Sequence, residues 1–181
     1  MHTDKSLLAY HGKPQTQYCY DLLQSYCQRV FVSNRRDQAN LPGHKTLAQI
    51  HDQKKYQDIG PLAGILSAME KYPGVAWLVL ACDLPYMNAK TLEDLLKKRN
   101  PERMATAYIS RHDGLPEPLC AVYEKKSNQG ILKFLKQGIV CPRHILIHSD
   151  CELIQQNQGI ALDNVNTKEE YRQAKKSFHG R

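Results

Sequence analysis

The stretch Val75-Ala-Trp-Leu-Val-Leu-Ala-Cys82-Asp83-Leu-Pro85 decides the fold class. Its residues 75–82 are continuously apolar, with Pro73-Gly74 before them and Pro85 after. An apolar run closed by turn signals predicts a central strand covered on both faces. Outward from it, short apolar runs alternate with amphipathic segments. Upstream, residues 16–28 carry Tyr18, Leu22, Leu23 and Tyr26 at helical spacing, and residues 29–33 and 46–51 read as strands. Gly60-Pro61 opens a helix through Glu70, because proline is tolerated in a helical first turn. Downstream, residues 88–98 are helical with Asn88 as N-cap. Strands follow at 104–110 and 119–123, helices at 129–136 and 143–149, a short strand at 160–162, and a closing helix at 167–177. Thr167 and Glu170 stand at capping-box positions of that last helix. This alternation predicts one α/β domain over residues 1–181, with a mostly parallel sheet between two helical layers.

Ligands of such sheets bind beyond the carboxyl ends of the strands. Asp83 follows the apolar strand directly, where a carboxylate holds a hard cation such as Mg²⁺ or, equally, closes a turn before Pro85. Gly60-Pro61-Leu62-Ala63-Gly64 begins a helix, where small residues admit a close neighbour and the free N–H groups attract anions; a tight loop-to-helix junction reads the same. Lys5 offers a point charge to a phosphate. Asn164 and Asn166 stand at the mouth of the last helix, suited to capping or to ligand contact. His144 and His148 share one helix face, but no Glu follows His144 and no third ligand is evident, so a zinc protease is not indicated.

Composition removes other classes. There are 25 Lys and Arg against 18 Asp and Glu, a net charge of +7. That balance suits an anionic partner. The charge is dispersed in short runs (Lys54-Lys55, Lys97-Lys98-Arg99, Lys125-Lys126) that read as solvated faces, which argues against a dedicated nucleic-acid surface. The six cysteines form no C-x-x-C pair and are expected as free thiols in a reducing cytoplasm. No apolar run is long enough to span a bilayer and no signal peptide is evident. No Gly-x-Ser-x-Gly occurs, so a serine hydrolase is not supported.

Taken together, Asp4-Lys5-Ser-Leu-Leu, His11-Gly12-Lys13-Pro14, Val30-Phe-Val-Ser33-Asn34, Asp52, Gly60-Pro61-Leu62-Ala63-Gly64, Ala81-Cys-Asp83-Leu-Pro85, Glu117-Pro-Leu-Cys-Ala-Val-Tyr123 and Asn164-Val-Asn166-Thr167 resemble the molybdenum cofactor guanylyltransferase family from the first residue to the last helix. The resemblance implies a three-layer, Rossmann-like α/β/α nucleotidyltransferase. It also implies a reaction in the cytoplasm: GMP moves from GTP to the terminal phosphate of molybdopterin, with Mg²⁺ as cofactor and pyrophosphate released.

Carried over residue by residue, Lys5 matches a nucleotide-phosphate contact and Asp83 the Mg²⁺ carboxylate. Ser33, Asn34, Asp52, Gly60, Pro61 and Leu62 fall at nucleotide-binding positions. Asn164 and Asn166 fall at the pterin side. Lys168 departs from the proline usual after N-x-N-T. The family opens with a strand and a loop L-A-G-G-x-S-x-R-M-G; Met1 stands at the Met of that motif and His2 at its Gly. The expectation is therefore a first strand and glycine loop missing ahead of Met1, hence weak GTP binding. The related alternatives are a cytidylyl- or sugar-phosphate nucleotidyltransferase, or a non-catalytic nucleotide-binding protein. Transient contact with other molybdenum cofactor biosynthesis proteins is a further implication.

Overall fold

The structure, a computed structural model, describes residues 5–156 and 159–179, apart from the side chains of Lys5 and His179. In chain order it contains α1 (Gln15–Gln24), β1 (Val32–Asn34), β2 (Gln49–His51), α2 (Pro61–Lys71), β3 (Trp77–Leu80), α3 (Ala89–Lys97), β4 (Ala105–Ile109), β5 (Pro116–Tyr123), α4 (Ser127–Lys136), α5 (Pro142–Ile147), β6 (Cys151–Gln155) and α6 (Lys168–His179). A 3₁₀ turn spans Lys5–Leu7.

Local sequence sets the helix starts. Gly60 precedes α2 at φ 61°, a conformation that favours glycine, and Pro61 takes the first helical position. Asn88 caps α3, its Oδ1 accepting from the Thr91 N–H at 3.1 Å. At α6 the Glu170 N–H donates to Thr167 Oγ1 at 3.1 Å, and Glu170 Oε2 accepts from the Thr167 N–H at 3.1 Å. That reciprocal pair is the capping box expected from the sequence.

Alternation along the strands separates two apolar layers. Trp77, Val79, Ala105, Ala107, Ala121 and Tyr123 face α2, α4 and α5 with Leu62, Leu66, Ile131 and Ile145. Leu78, Leu80, Cys120, Val122 and Ile154 face α3 and α1 with Leu92, Leu95, Leu22 and Leu23. The three-layer expectation holds.

The mostly parallel sheet does not. β1 and β2 form a separate parallel pair, and the larger sheet runs β3-β5-β4-β6. Within it β5 is antiparallel to both β3 and β4, and only β4 and β6 are parallel. The cause is the Ser110–Leu115 connection: it is too short for a crossover helix, so β4 and β5 must form a hairpin. Gly114 sits in that turn at φ 71°.

Two further expectations change. β3 is an edge strand, every residue of it only half-buried, because the side away from β5 borders a cavity. Residues 160–162 form a turn, and the last strand is instead β6, which pairs with β4 from Ala105↔Cys151 to Ile109↔Gln155. Its alternation is weak, and the partner strand decides its existence. All six cysteines are free, as expected, with Cys141 exposed and only Cys19 and Cys120 fully buried. The ring of His144 on α5 packs at 4.4 Å against that of His148, just past the helix end.

Candidate active site

A cavity of about 920 Å³ separates β1 from β3. One wall is Val30–Gln38 and the other Trp77–Asp83; α1 contributes Cys19, Tyr20 and Leu23, and α2 contributes Ala63, Gly64, Ile65 and Ala68. Apolar strand and helix residues line most of it. Polar groups gather where β1 and β3 end: Ser33, Asn34, Asp52, Gly60-Pro61 and Asp83. Four separate segments are thus brought to one rim.

The loop after β3 is held from three sides. His11 Nε2 donates to the Pro85 carbonyl at 2.8 Å, Tyr18 Oη to the Met87 carbonyl at 2.8 Å, and Gln15 Nε2 to the Leu84 carbonyl at 3.3 Å. The Val165 N–H donates to the Asp83 carbonyl at 3.1 Å. That last bond seats the loop carrying Asn164 and Asn166 beside Asp83, while both Asn residues stay exposed.

Asp52 is fixed through its backbone, its N–H donating to the Asn34 carbonyl at 3.0 Å. Burial pushes its carboxyl above the usual aspartate range, partly offset by the Arg35 and His51 charges. Helix α2 comes against this pair through Gly64. A Cβ there would lie 2.2 Å from Ser33 Oγ, 3.3 Å from Ser33 Cβ and 3.6 Å from Asp52 Oδ1. The GPLAG glycine is therefore a close-approach glycine, as its position predicted.

Leu62 departs from the expected set. It is buried against the sheet and does not line the cavity. The first turn of an amphipathic helix must place one residue on its core face, and Leu62 is that residue. Lys5 opens the 3₁₀ turn, but its side chain lies outside the described residues, as do Met1–Asp4.

Several residues escaped the sequence reading. Arg35, Arg36, Asp37 and Gln38 extend the β1 wall, and Asp58, at φ 64°, lines the cavity before α2. His44 is buried in the same wall. On the Asp83 side, Arg111 and His112 pair with Asp163 at 2.6 and 2.9 Å, and Arg143 bridges Asp113 at 2.9 Å and Glu117 at 3.1 Å. Burial raises the Glu117 carboxyl, with Arg143 opposing. Asp58-Ile-Gly60 and Asp113-Gly114 carried a local signal, that of a turn, and Glu117 stood in a motif already quoted; the others are assembled by tertiary pairing.

A carboxylate at a strand end, a helix N-terminus with no side-chain cap and scattered cations suit an anionic ligand with a metal ion. Comparison with known proteins gives the family. Residues 1–150 match the MobA-like NTP transferase domain. A molybdenum cofactor biosynthesis bifunctional protein of Synechocystis is 39% identical over 173 residues, covering 96% of this chain and 49% of that protein. The chain thus spans about half the length of that relative. The molybdenum cofactor guanylyltransferase of Pseudomonas aeruginosa is 30% identical, covering 92% of this chain and 83% of that protein. The crystal structure of molybdopterin-guanine dinucleotide biosynthesis protein A from Archaeoglobus fulgidus has the same α/β nucleotidyltransferase fold, with a TM-score of 0.76 at 22% identity over 99% of this chain and 93% of that one. With its family match and the identity it shares with the Pseudomonas enzyme over most of both lengths, the chain belongs to the MobA-like NTP transferase family.

Proposed function

We propose that this chain transfers GMP from GTP to molybdopterin and releases pyrophosphate. The observation that carries the reading is the shared rim. Asn34 and Asp52 stand at the ends of β1 and β2, Gly60-Pro61 at the start of α2, and Asp83 at the end of β3, all around one cavity. The nucleoside lies against the Ser33–Gln38 wall and Asp52, with the phosphates toward Asp83 and the α2 N-terminus. The acceptor comes from the Asn164–Asn166 side, next to Asp83.

Among the described residues no three His, Cys, Asp or Glu side chains are grouped to hold a resident metal. One carboxylate is what a Mg²⁺ ion arriving on the nucleotide requires, since phosphate oxygens and water complete its shell. Asp83 fits that role, and the ion, when bound, offsets charge on the phosphates. The acceptor phosphate oxygen attacks the α-phosphorus of GTP, one P–O bond forms, and the bond to the β-phosphate oxygen breaks. Such transfer asks the protein for positioning and charge neutralisation. Arg35, Arg36 and Lys54 line the cavity, and Arg35 pairs with Asp37 at 3.1 Å.

The test incubates the chain with Mg²⁺, molybdopterin and either GTP or CTP and follows the dinucleotide product. GMP incorporation supports the reading; CMP incorporation without GMP replaces it with a cytidylyltransferase. The chain is expected to act in the cytoplasm, and no helix among the described residues is long and apolar enough to cross a membrane.

A further inference from the structure

The most connected polar group in the cavity wall is an imidazole with no role so far. His44 is 3% exposed. Its Nε2 lies 3.1 Å from Ser6 Oγ and 3.4 Å from Thr16 Oγ1. Its Nδ1 lies 3.1 Å from both the Gln38 carbonyl and Asn34 Nδ2. As the Nε2–H tautomer the ring donates on the Ser6 and Thr16 side and accepts from Asn34 Nδ2 at Nδ1, so it joins the 3₁₀ turn after Lys5 and helix α1 to the end of β1. Thr16 Oγ1 also donates to the Ser6 carbonyl at 3.0 Å, which ties the same turn to α1 a second time.

The amide hydrogens of Asn34 are committed to this network. The residue is 5% exposed. Its amide donates to Gln49 Oε1 at 2.9 Å, and its Oδ1 accepts from His51 Nδ1 at 2.7 Å. With His44 on the other amide hydrogen, both donors are used and one acceptor lone pair remains. A guanine offers donors at its pairing edge and a cytosine offers mostly acceptors. Asn34 lines the cavity with its donors engaged, and the acceptor capacity that remains favours the former. What keeps it so is the ring behind it, since an Asn amide freed from His44 can rotate and present donors instead.

We propose that His44 is a positioning residue for nucleobase choice. It fixes the orientation of the Asn34 amide, and through Ser6 it holds that wall in register with the Lys5–Leu7 turn. This inference rests on the placement of the base at the Ser33–Gln38 wall proposed above.

The experiment measures GTP and CTP binding to the full chain with Mg²⁺ by NMR titration, in native protein, His44→Ala, His44→Gln and Ser6→Ala. Thermal melts and circular dichroism check the fold. The native chain prefers GTP. His44→Ala loses that preference, its GTP Kd rising roughly three- to tenfold, the worth of one or two hydrogen bonds, while CTP binding changes by less than about twofold. His44→Gln keeps one face of the network and recovers part of the preference. Ser6→Ala removes only the hydroxyl at Nε2, changes the ratio in the same direction by less, and decides the matter if His44→Ala does not fold. A ratio unchanged in the folded His44 variants, or in Ser6→Ala where His44→Ala fails to fold, overturns the proposal: a ring that merely stabilises the fold weakens both nucleotides alike. A native chain with no preference between GTP and CTP overturns the base placement itself, and the role of His44 with it.

Discussion

Gly64→Ala tests the geometry of the rim. An added Cβ would stand 2.2 Å from Ser33 Oγ and 3.3 Å from Ser33 Cβ. The first contact is impossible as it stands, and the second is tight. Two terms oppose each other. Alanine returns about 1 kcal/mol of helix propensity at a position inside α2. Overpacking against β1 costs about 1–3 kcal/mol, reduced where the Ser33 hydroxyl can rotate away. The net is a loss of about 1 kcal/mol, or a melting temperature lower by about 2–4 °C for a chain of this size. The discriminating step is the background. In Ser33→Ala the oxygen at 2.2 Å is gone, and the tight Cβ contact and the ordinary 3.6 Å contact with Asp52 Oδ1 remain. There Gly64→Ala should cost nothing or stabilise by about 0.5 kcal/mol, since propensity now prevails. Urea melts of the four proteins in the cycle measure the coupling. Gly64→Ala that stabilises the native background, or that has the same effect in both, refutes the close-approach account. Nucleotide affinity should follow the same pattern, because the displaced groups are Ser33 and Asp52.

Three other outcomes are expected. Asp52→Asn should stabilise the protein at neutral pH: burial holds its folded pKa above the unfolded one, so its contribution is fully present below the unfolded pKa and is lost as pH rises through the folded pKa. Stability curves at acid and neutral pH should show that decline in the native chain and its absence in the variant. Asn88→Ala removes the acceptor for the Thr91 N–H and should cost about 1 kcal/mol in a chemical melt, with nucleotide binding unchanged. Asp83→Asn should abolish transfer while the melt stays within about 0.5 kcal/mol, and a near-native rate would remove Asp83 from the metal site.

Local patterns made much of this protein legible. Gly60-Pro61 started α2 where expected, Asn88 and the Thr167–Glu170 pair capped their helices, and apolar alternation divided the strands between two helical layers. Asp83 and Gly64 were readable because strand ends and close helix packing leave short, local marks. The failures lie where pairing is remote. β6 exists because β4 offers it an edge, and β5 reverses because Ser110–Leu115 is short. The Val75–Cys82 run reads as a central strand, yet in the structure β3 borders a cavity on its open side.

The sequence by itself determined the layers, the caps, the family and the residue types at the rim, since these depend on periodicity and on neighbours a few positions away. Only the tertiary structure decided the mixed sheet, the withdrawal of Leu62 into the core and the commitment of Asn34 to His44. Those depend on which distant edges and polar groups meet, and no local spacing encodes such meetings.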